Sequence, residues 1–147
     1  MQTKINKKMA FGIPGTHGNG QPYCADPYVA GGTVTFGTLA GLDANGRAVA
    51  WTTGNVAGLL VNPNEHVRMV LPSSERSLSV DQGTTVAIAK KGAWYVSVPT
   101  ADKANWKNGA KLIADTTTHA LKVSASGTYG EVLEVDDDAT LALIRLI

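Results

Sequence analysis

Apolar and polar residues alternate along most of this chain with a period of two, which is the pattern of β-strands that bury one face. Residues 33–39 alternate in this way, and residues 47–52 do so again after a turn at 43–46. Asn45-Gly46 favours that turn because both residues tolerate a positive φ. Turn signals recur roughly every 8–12 residues, a spacing typical of antiparallel sandwiches and barrels. Further strands are predicted at 56–61, 67–71, 77–80, 84–89, 93–98, 111–114, 120–123, 129–135 and 140–147.

Only one segment is predicted to be helical. Residues 100–106 can form one or two turns with Thr100 as the N-cap, and Asn108-Gly109 ends them. No stretch keeps an apolar period of 3.6 residues over three turns. The sequence therefore predicts an all-β domain.

The last predicted strand, residues 140–147, is apolar on both faces. Leu141, Leu143 and Ile147 share one face with Arg145, while Ala142, Ile144 and Leu146 form the other. An edge strand of this composition would invite aggregation. We therefore expect it in the interior of the sheet or, as the alternative, covered by another part of an assembly.

The first 32 residues differ in amino-acid composition from the rest. Six glycines and three prolines punctuate them, which predicts neither a helix nor a long strand. Apolar residues that a flexible linker would lack are interspersed, among them Met9, Phe11, Ile13, Tyr23 and Tyr28. We interpret residues 1–32 as an extended N-terminal arm that lies on a partner's surface or its own domain, and residues 33–147 as the β domain.

Composition narrows the classes of function. The 147 residues suit one domain, and 13 basic against 12 acidic side chains leave a net charge of +1. That balance argues against a nucleic-acid-binding protein that neutralises many phosphates, which needs an excess of basic residues. No apolar run approaches the length of a membrane span. No secretory signal is predicted at the start, and Cys24, the single cysteine, has no partner for an internal disulfide.

The sequence offers no convincing catalytic or metal site. A Ser73–His66–Asp81 triad can be drawn, but no serine lies in a G-x-S-x-G motif, and neither His17 nor His119 has a motif around it. Metal-ligand spacing is absent, and Asp136-Asp137-Asp138 lacks the alternation of a calcium loop, which leaves cation binding there a minor alternative. We predict no enzyme activity and no cofactor.

Four segments and their layout resemble the head-decoration, or structural cement, proteins of tailed bacteriophages. They are Phe11-Gly12-Ile13-Pro14-Gly15-Thr16, the first hairpin through Gly46-Arg47-Ala48-Val49, Gly58 through His66, and Gly92-Ala93-Trp94-Tyr95-Val96. The resemblance covers nearly the whole chain. It implies a compact β-barrel, β-tulip or jelly-roll-like domain that sits, often as a trimer, on the outer face of the capsid.

The resemblance also implies a partner and a location. The partner would be the major capsid protein, and the protein would be made in the bacterial cytoplasm and assembled into the virion. An extended arm gives much contact area per residue, and aromatic side chains often anchor interfaces. The predicted partner-binding residues, all within the arm, are Met9, Phe11, Ile13, Pro14, Tyr23, Pro27 and Tyr28.

Three other functions remain open from the sequence. A head–tail or fibre-base component of the virion has the same structural character. A carbohydrate-binding β-sandwich could use Trp51, Trp94 and Trp106 as a stacking platform, although core packing is the favoured interpretation of Trp51 and Trp94. An undetected hydrolase is the least supported.

Overall fold

The computed structural model describes residues 14–18, 24–62, 79–136 and 140–147. Eleven strands lie in these ranges, together with one 3-10 helix, Thr100–Asn105. The strands are β1 Cys24–Val29, β2 Val34–Thr35, β3 Leu39–Leu42, β4 Ala48–Ala50, β5 Gly58–Val61, β6 Ser79–Val80, β7 Thr85–Ser97, β8 Lys111–Asp115, β9 Ala120–Val123, β10 Gly130–Val135 and β11 Leu141–Leu146. The predicted all-β class is confirmed, and the main sheet curls into an antiparallel half-barrel.

Nine strands form this sheet, and β7 is at its centre. The order is β4-β3-β5-β7-β11-β10-β8-β9, with β1 also paired to β7, while β2 and β6 form a separate pair. The predicted break at 90–92 is wrong, because β7 runs unbroken for 13 residues. Gly92 adopts a φ of 110°, a conformation that glycine takes without strain, so the chain stays in the sheet there. The interior position predicted for the last strand is confirmed, since β11 lies between β7 and β10.

The predicted strand at 33–39 is two strands. A turn at residues 36–38 separates β2 from β3, and Gly37 has a φ of 81° within it. A Cβ on Gly37 would lie 2.9 Å from the Cβ of Pro14, so the absence of a side chain also lets the leading segment pack here. The predicted strand at 67–71 and the first half of 77–80 lie outside the described residues, and the second half of 77–80 is β6.

Two apolar clusters form the core, and β7 contributes to both. The larger cluster contains Trp51, Trp94 and Trp106 together with side chains of β8, β10 and β11. The smaller one is built from Ala30, Phe36, Leu60, Ile88 and their neighbours. Alternate residues of β7 enter the two clusters, Ala87 and Ala89 the larger and Val86 and Ile88 the smaller, as the pleat of a strand requires.

Described parts of the predicted arm belong to the sheet. β1 pairs with β7 in antiparallel register from Cys24 opposite Lys91 to Val29 opposite Thr85. Nearer the start, Gly18 N donates to Ala93 O, and Thr16 O accepts from Tyr95 N. The six-residue strand β1 thus forms within a segment for which the sequence predicts no long strand.

Pro27 is tolerated within β1 because of the phase of its hydrogen bonds. Ala30 N donates to Thr84 O. In an antiparallel ladder, every second residue directs its N–H and C=O groups at the partner strand, so the residues of this segment that bond to β7 are Ala30, Tyr28 and Asp26. Pro27 falls between them, at a position whose N–H would point away from β7. The missing donor therefore costs no ladder bond, which is why proline is found on edge strands.

The 3-10 helix is fixed by Asp102 rather than by Thr100. Pro99 occupies the N-cap position and makes no side-chain cap, which corrects the prediction for Thr100. The Asp102 carboxylate accepts from Asn105 Nδ2 at 2.7 Å, Val123 N at 2.9 Å and Trp106 Nε1 at 3.1 Å. This one side chain therefore joins the helix to the outer edge of β9 and orients Trp106.

Asp102→Asn should lower the free energy of unfolding at pH 7 by about 1.5–3 kcal/mol, the usual range for hydrogen bonds to a charged group. Burial acts to raise the pKa of Asp102, but the bonds from Asn105, Val123 and Trp106 and the charge of Lys122 outweigh it and hold the pKa below 3.8. Its stabilisation is present above the ordinary value and is lost as the pH falls through the folded pKa. Urea unfolding at pH 7 and pH 3 measures this effect. The free energies of unfolding of Asp102→Asn and wild type should differ less at pH 3 than at pH 7.

Asp81→Asn is the matched control, since Asp81 is an exposed turn residue. It should leave the urea midpoint within about 0.5 kcal/mol of wild type at both pH values. An Asp102→Asn variant as stable as wild type at pH 7 would contradict the structural role assigned to the carboxylate.

Candidate functional site

A groove opens where β1 and β4 diverge. A parallel bridge joins Ala30, just after β1, to Ala48 at the start of β4, and Gly31 N donates to Ala48 O at 2.8 Å. Before these residues, β1 and the turn that precedes β4 separate from each other. The resulting open groove of about 500 Å³ is lined by Pro27, Tyr28, Val29, Asn45, Gly46, Arg47 and Thr85.

One wall of the groove is a turn held in place by Asp43. The Asp43 carboxylate oxygen Oδ1 accepts from the backbone N of Asn45 and of Arg47, both at 2.9 Å. Gly46 follows with a φ of 74°, as the Asn-Gly signal predicts. At the closed end, a Cβ on Gly31 would lie 2.7 Å from Asp43 Oδ2, so only glycine fits between β1 and the turn without displacement.

The other wall is apolar and partly exposed. Among the described residues, Val29 is one of three large apolar side chains that stay exposed, at 46%. Pro27 is exposed as well, whereas Tyr28 is half-buried and packs against the smaller core cluster. Arg47 is exposed and is the one charged residue among those that line the groove. The groove can therefore bind apolar groups along β1 and a negative charge at the turn.

The structure separates the predicted partner-binding residues into three groups. Pro27 and Tyr28 both line the groove. Pro14 is buried and lies against Gly37, so its ring packs within its own chain. The predictions for Met9, Phe11, Ile13 and Tyr23 fall outside the described residues.

Val29 and Arg47 were not among the predicted site residues. Val29 carried a weak signal, since it is an apolar residue beside Tyr28 in a segment expected to meet a partner. Arg47 carries no such signal, because in the sequence it is a polar residue at the start of a predicted strand. The bridge between Ala30 and Ala48 and the bond from Gly31 N to Ala48 O bring the two together.

The three tryptophans are core residues, which confirms the favoured interpretation of Trp51 and Trp94. Trp51, Trp94 and Trp106 are 5%, 2% and 3% exposed. Their indole N–H groups donate to Gly54 O, Lys91 O and Asp102 Oδ2. The alternative in which these rings form a carbohydrate-stacking platform is therefore wrong.

The histidines that the structure describes pack against tryptophans. The His17 and His119 rings make edge contacts with Trp94 and Trp51, each with centroids 5.2 Å apart. His119 has a φ of 56° at the end of the β8–β9 turn. It also borders a cleft of about 390 Å³ whose other lining residues, from 35–39, 97–99 and 120–121, carry no charge. His66 and Ser73 of the drawn triad lie outside the described residues.

Acidic groups near the strand ends have structural partners. Asp136 accepts from Thr140 N, Thr140 Oγ1 and Leu141 N, which closes the turn between β10 and β11. Asp137 and Asp138 lie outside the described residues. Within the described ranges, no three His, Cys, Asp or Glu side chains are grouped as a metal site would require. No helix in those ranges is long and apolar enough to cross a membrane.

Comparison with known proteins gives one match. The family model described as "Structural cement protein (E217 gp24/Pam3 gp6)" matches residues 1–147, which is the whole chain. No curated protein and no solved structure matches the chain.

Proposed function

The chain belongs to the family of phage structural cement proteins, and from that premise we propose that it binds the outer surface of the head and clamps neighbouring major capsid subunits. It acts as a structural protein without a catalytic centre, and it works as a homotrimer on the shell. The observation that carries this proposal is the family match over the full length of the chain.

The described surface supports a role in binding. The groove combines exposed apolar side chains of β1 with Arg47 on a turn that Asp43 holds rigid. A rigid recognition surface loses little conformational entropy when it binds. Several such surfaces in one trimer would bind a repetitive lattice much more tightly than one, because each contact after the first forms at high effective concentration.

We assign a second contact to residues 1–13. Met9, Phe11 and Ile13 alternate with small residues there, and Lys4, Lys7 and Lys8 give the segment a positive charge. Apolar anchors bind by burial, and basic residues are attracted to acidic protein surfaces. Within the arm predicted at 1–32, the proposed capsid contacts are thus residues 1–13 and the part of β1 that lines the groove, Pro27, Tyr28 and Val29.

Undecorated heads mixed with the purified full-length protein test this function. We expect saturable binding over the whole shell, and heads that resist heat or osmotic shock better than bare ones. Light scattering on the free protein and cryo-electron microscopy of the heads would establish the trimer. Binding confined to one vertex would favour a head–tail component, and absence of binding would overturn the capsid role.

Val29→Asp should weaken binding to undecorated heads by about tenfold or more. Burying a Val side chain contributes about 1.5–3 kcal/mol, and a tenfold change corresponds to about 1.4 kcal/mol. Since Val29 is 46% exposed, the fold should tolerate the change. Sedimentation of heads with labelled protein measures the occupancy.

Ile147→Asp is the matched control, because Ile147 is 64% exposed and lies outside the groove. It should bind heads as wild type does. Equal loss in both variants would mean that added negative charge, and not the groove, determines binding.

A further inference from the structure

We propose that the groove beside β1 receives an extended, acidic segment of the capsid protein, which adds as a strand to the outer edge of β1 and places a carboxylate on Arg47. This proposal rests on the proposed function and specifies the chemistry of its partner. It draws on three observations: the orientation of the β1 backbone, the shape of the groove, and the position of its charge.

The backbone of β1 offers hydrogen-bonding groups on its outer edge. The bond from Ala30 N to Thr84 O determines which residues of β1 hydrogen-bond to β7, because such residues alternate along the strand. Tyr28, which lies opposite Val86, is one of them. Pro27 C=O and Val29 N–H consequently point away from β7. An extended chain can pair with such an edge through its own backbone, as in strand addition.

The groove is open enough for an added strand to enter beside β1. Ala30 and Ala48 close one end through their parallel bridge, and β1 diverges from the 45–47 turn beyond it. A chain entering between these walls contacts β1 on one side and the turn on the other. The proline at position 27 removes one donor and limits the pairing to a short stretch, which protects the edge from indiscriminate strand pairing.

The charge of the groove selects an acidic partner. Arg47 is its one charged lining residue and has no ion partner among the described residues. The carboxylate of Asp43 points to the backbone N of Asn45 and Arg47, at 2.9 Å from each. An arginine pairs with a carboxylate through two parallel hydrogen bonds, so the incoming segment should carry Asp or Glu beside its apolar residues.

Two pairs of variants, assayed on undecorated heads, test the proposal. Arg47→Glu should weaken binding at least tenfold, whereas Arg47→Lys should lose less. Added salt should weaken wild type more than Arg47→Gln, because charge pairing at an exposed site is screened. Val29→Pro, which removes the outward N–H, should bind at least fivefold more weakly than Val29→Ala, which keeps it.

Failure of this proposal differs from failure of the proposed function. If wild type binds heads and the Arg47 and Val29 variants bind equally well, the capsid role survives and the groove is not the contact. If wild type does not bind heads, the function itself is wrong. If Arg47→Glu binds more tightly than wild type, the partner is basic and the stated chemistry is overturned. Thermal unfolding of each variant verifies that the fold is intact.

Discussion

Removal of residues 1–29 is expected to leave a chain that no longer folds cooperatively. This truncation deletes β1 and the 16–18 pairing, both of which bond to β7. It also uncovers the smaller core cluster, against which Tyr28 packs. Each backbone bond contributes about 0.5–1.5 kcal/mol, and a domain of this size is stable by about 5–15 kcal/mol in total. Urea unfolding followed by near-UV circular dichroism should show a broad transition or none.

Removal of residues 1–13 is the matched control and has a different expected result. It retains the pairing of β7 with residues 16–18 and with β1, so the urea transition should remain cooperative. Head binding should fall if this segment is the second contact assigned to it. A 1–29 truncation that unfolds with the same midpoint as the full chain would show that β1 contributes nothing to stability.

Trp94→Ala should destabilise the domain by about 3–5 kcal/mol, the usual cost of deleting a large buried ring. Trp94 is 2% exposed, lies in the second half of β7 and contacts the His17 ring. Its loss leaves a cavity in the larger cluster and weakens the packing of residues 16–18. Equilibrium denaturation in urea measures the change.

Trp94→Phe separates the cavity from the hydrogen bond. Phenylalanine keeps an aromatic ring in the cluster but cannot replace the 3.0 Å bond from Trp94 Nε1 to Lys91 O. Its cost should be smaller than that of alanine by about 1–2 kcal/mol. A Trp94→Ala variant with wild-type stability would contradict the central position assigned to this ring.

The fold class and most strands follow from the sequence because period-two alternation reports directly on which side chains face a core. Residues 120–123 and the core roles of Trp51 and Trp94 are examples. The break expected at 90–92 shows the limit of such reasoning. Two lysines and a glycine are turn residues in isolation, but pairing on both sides kept β7 in the sheet. Local propensity was overridden by tertiary contacts.

The candidate site could be predicted only in part. Pro27 and Tyr28 were selected because apolar residues within a segment rich in glycine and proline suggest a surface contact, and both line the groove. The same reasoning selected Pro14, which is buried, because composition does not distinguish a segment that binds a partner from one that completes its own sheet. Arg47 belongs to the site through a bridge across 18 positions, from Ala30 to Ala48, that no local pattern encodes.

Because β7 contributes residues to both apolar clusters, we expect the two clusters to respond together to mechanical load. Neighbouring residues of one strand face opposite clusters, so a displacement that loosens one cluster pulls on the other at once. We therefore expect the two clusters to unfold together. For a protein of a cementing family, we expect such cooperative unfolding to leave the proposed binding surface in its native shape until the whole domain unfolds.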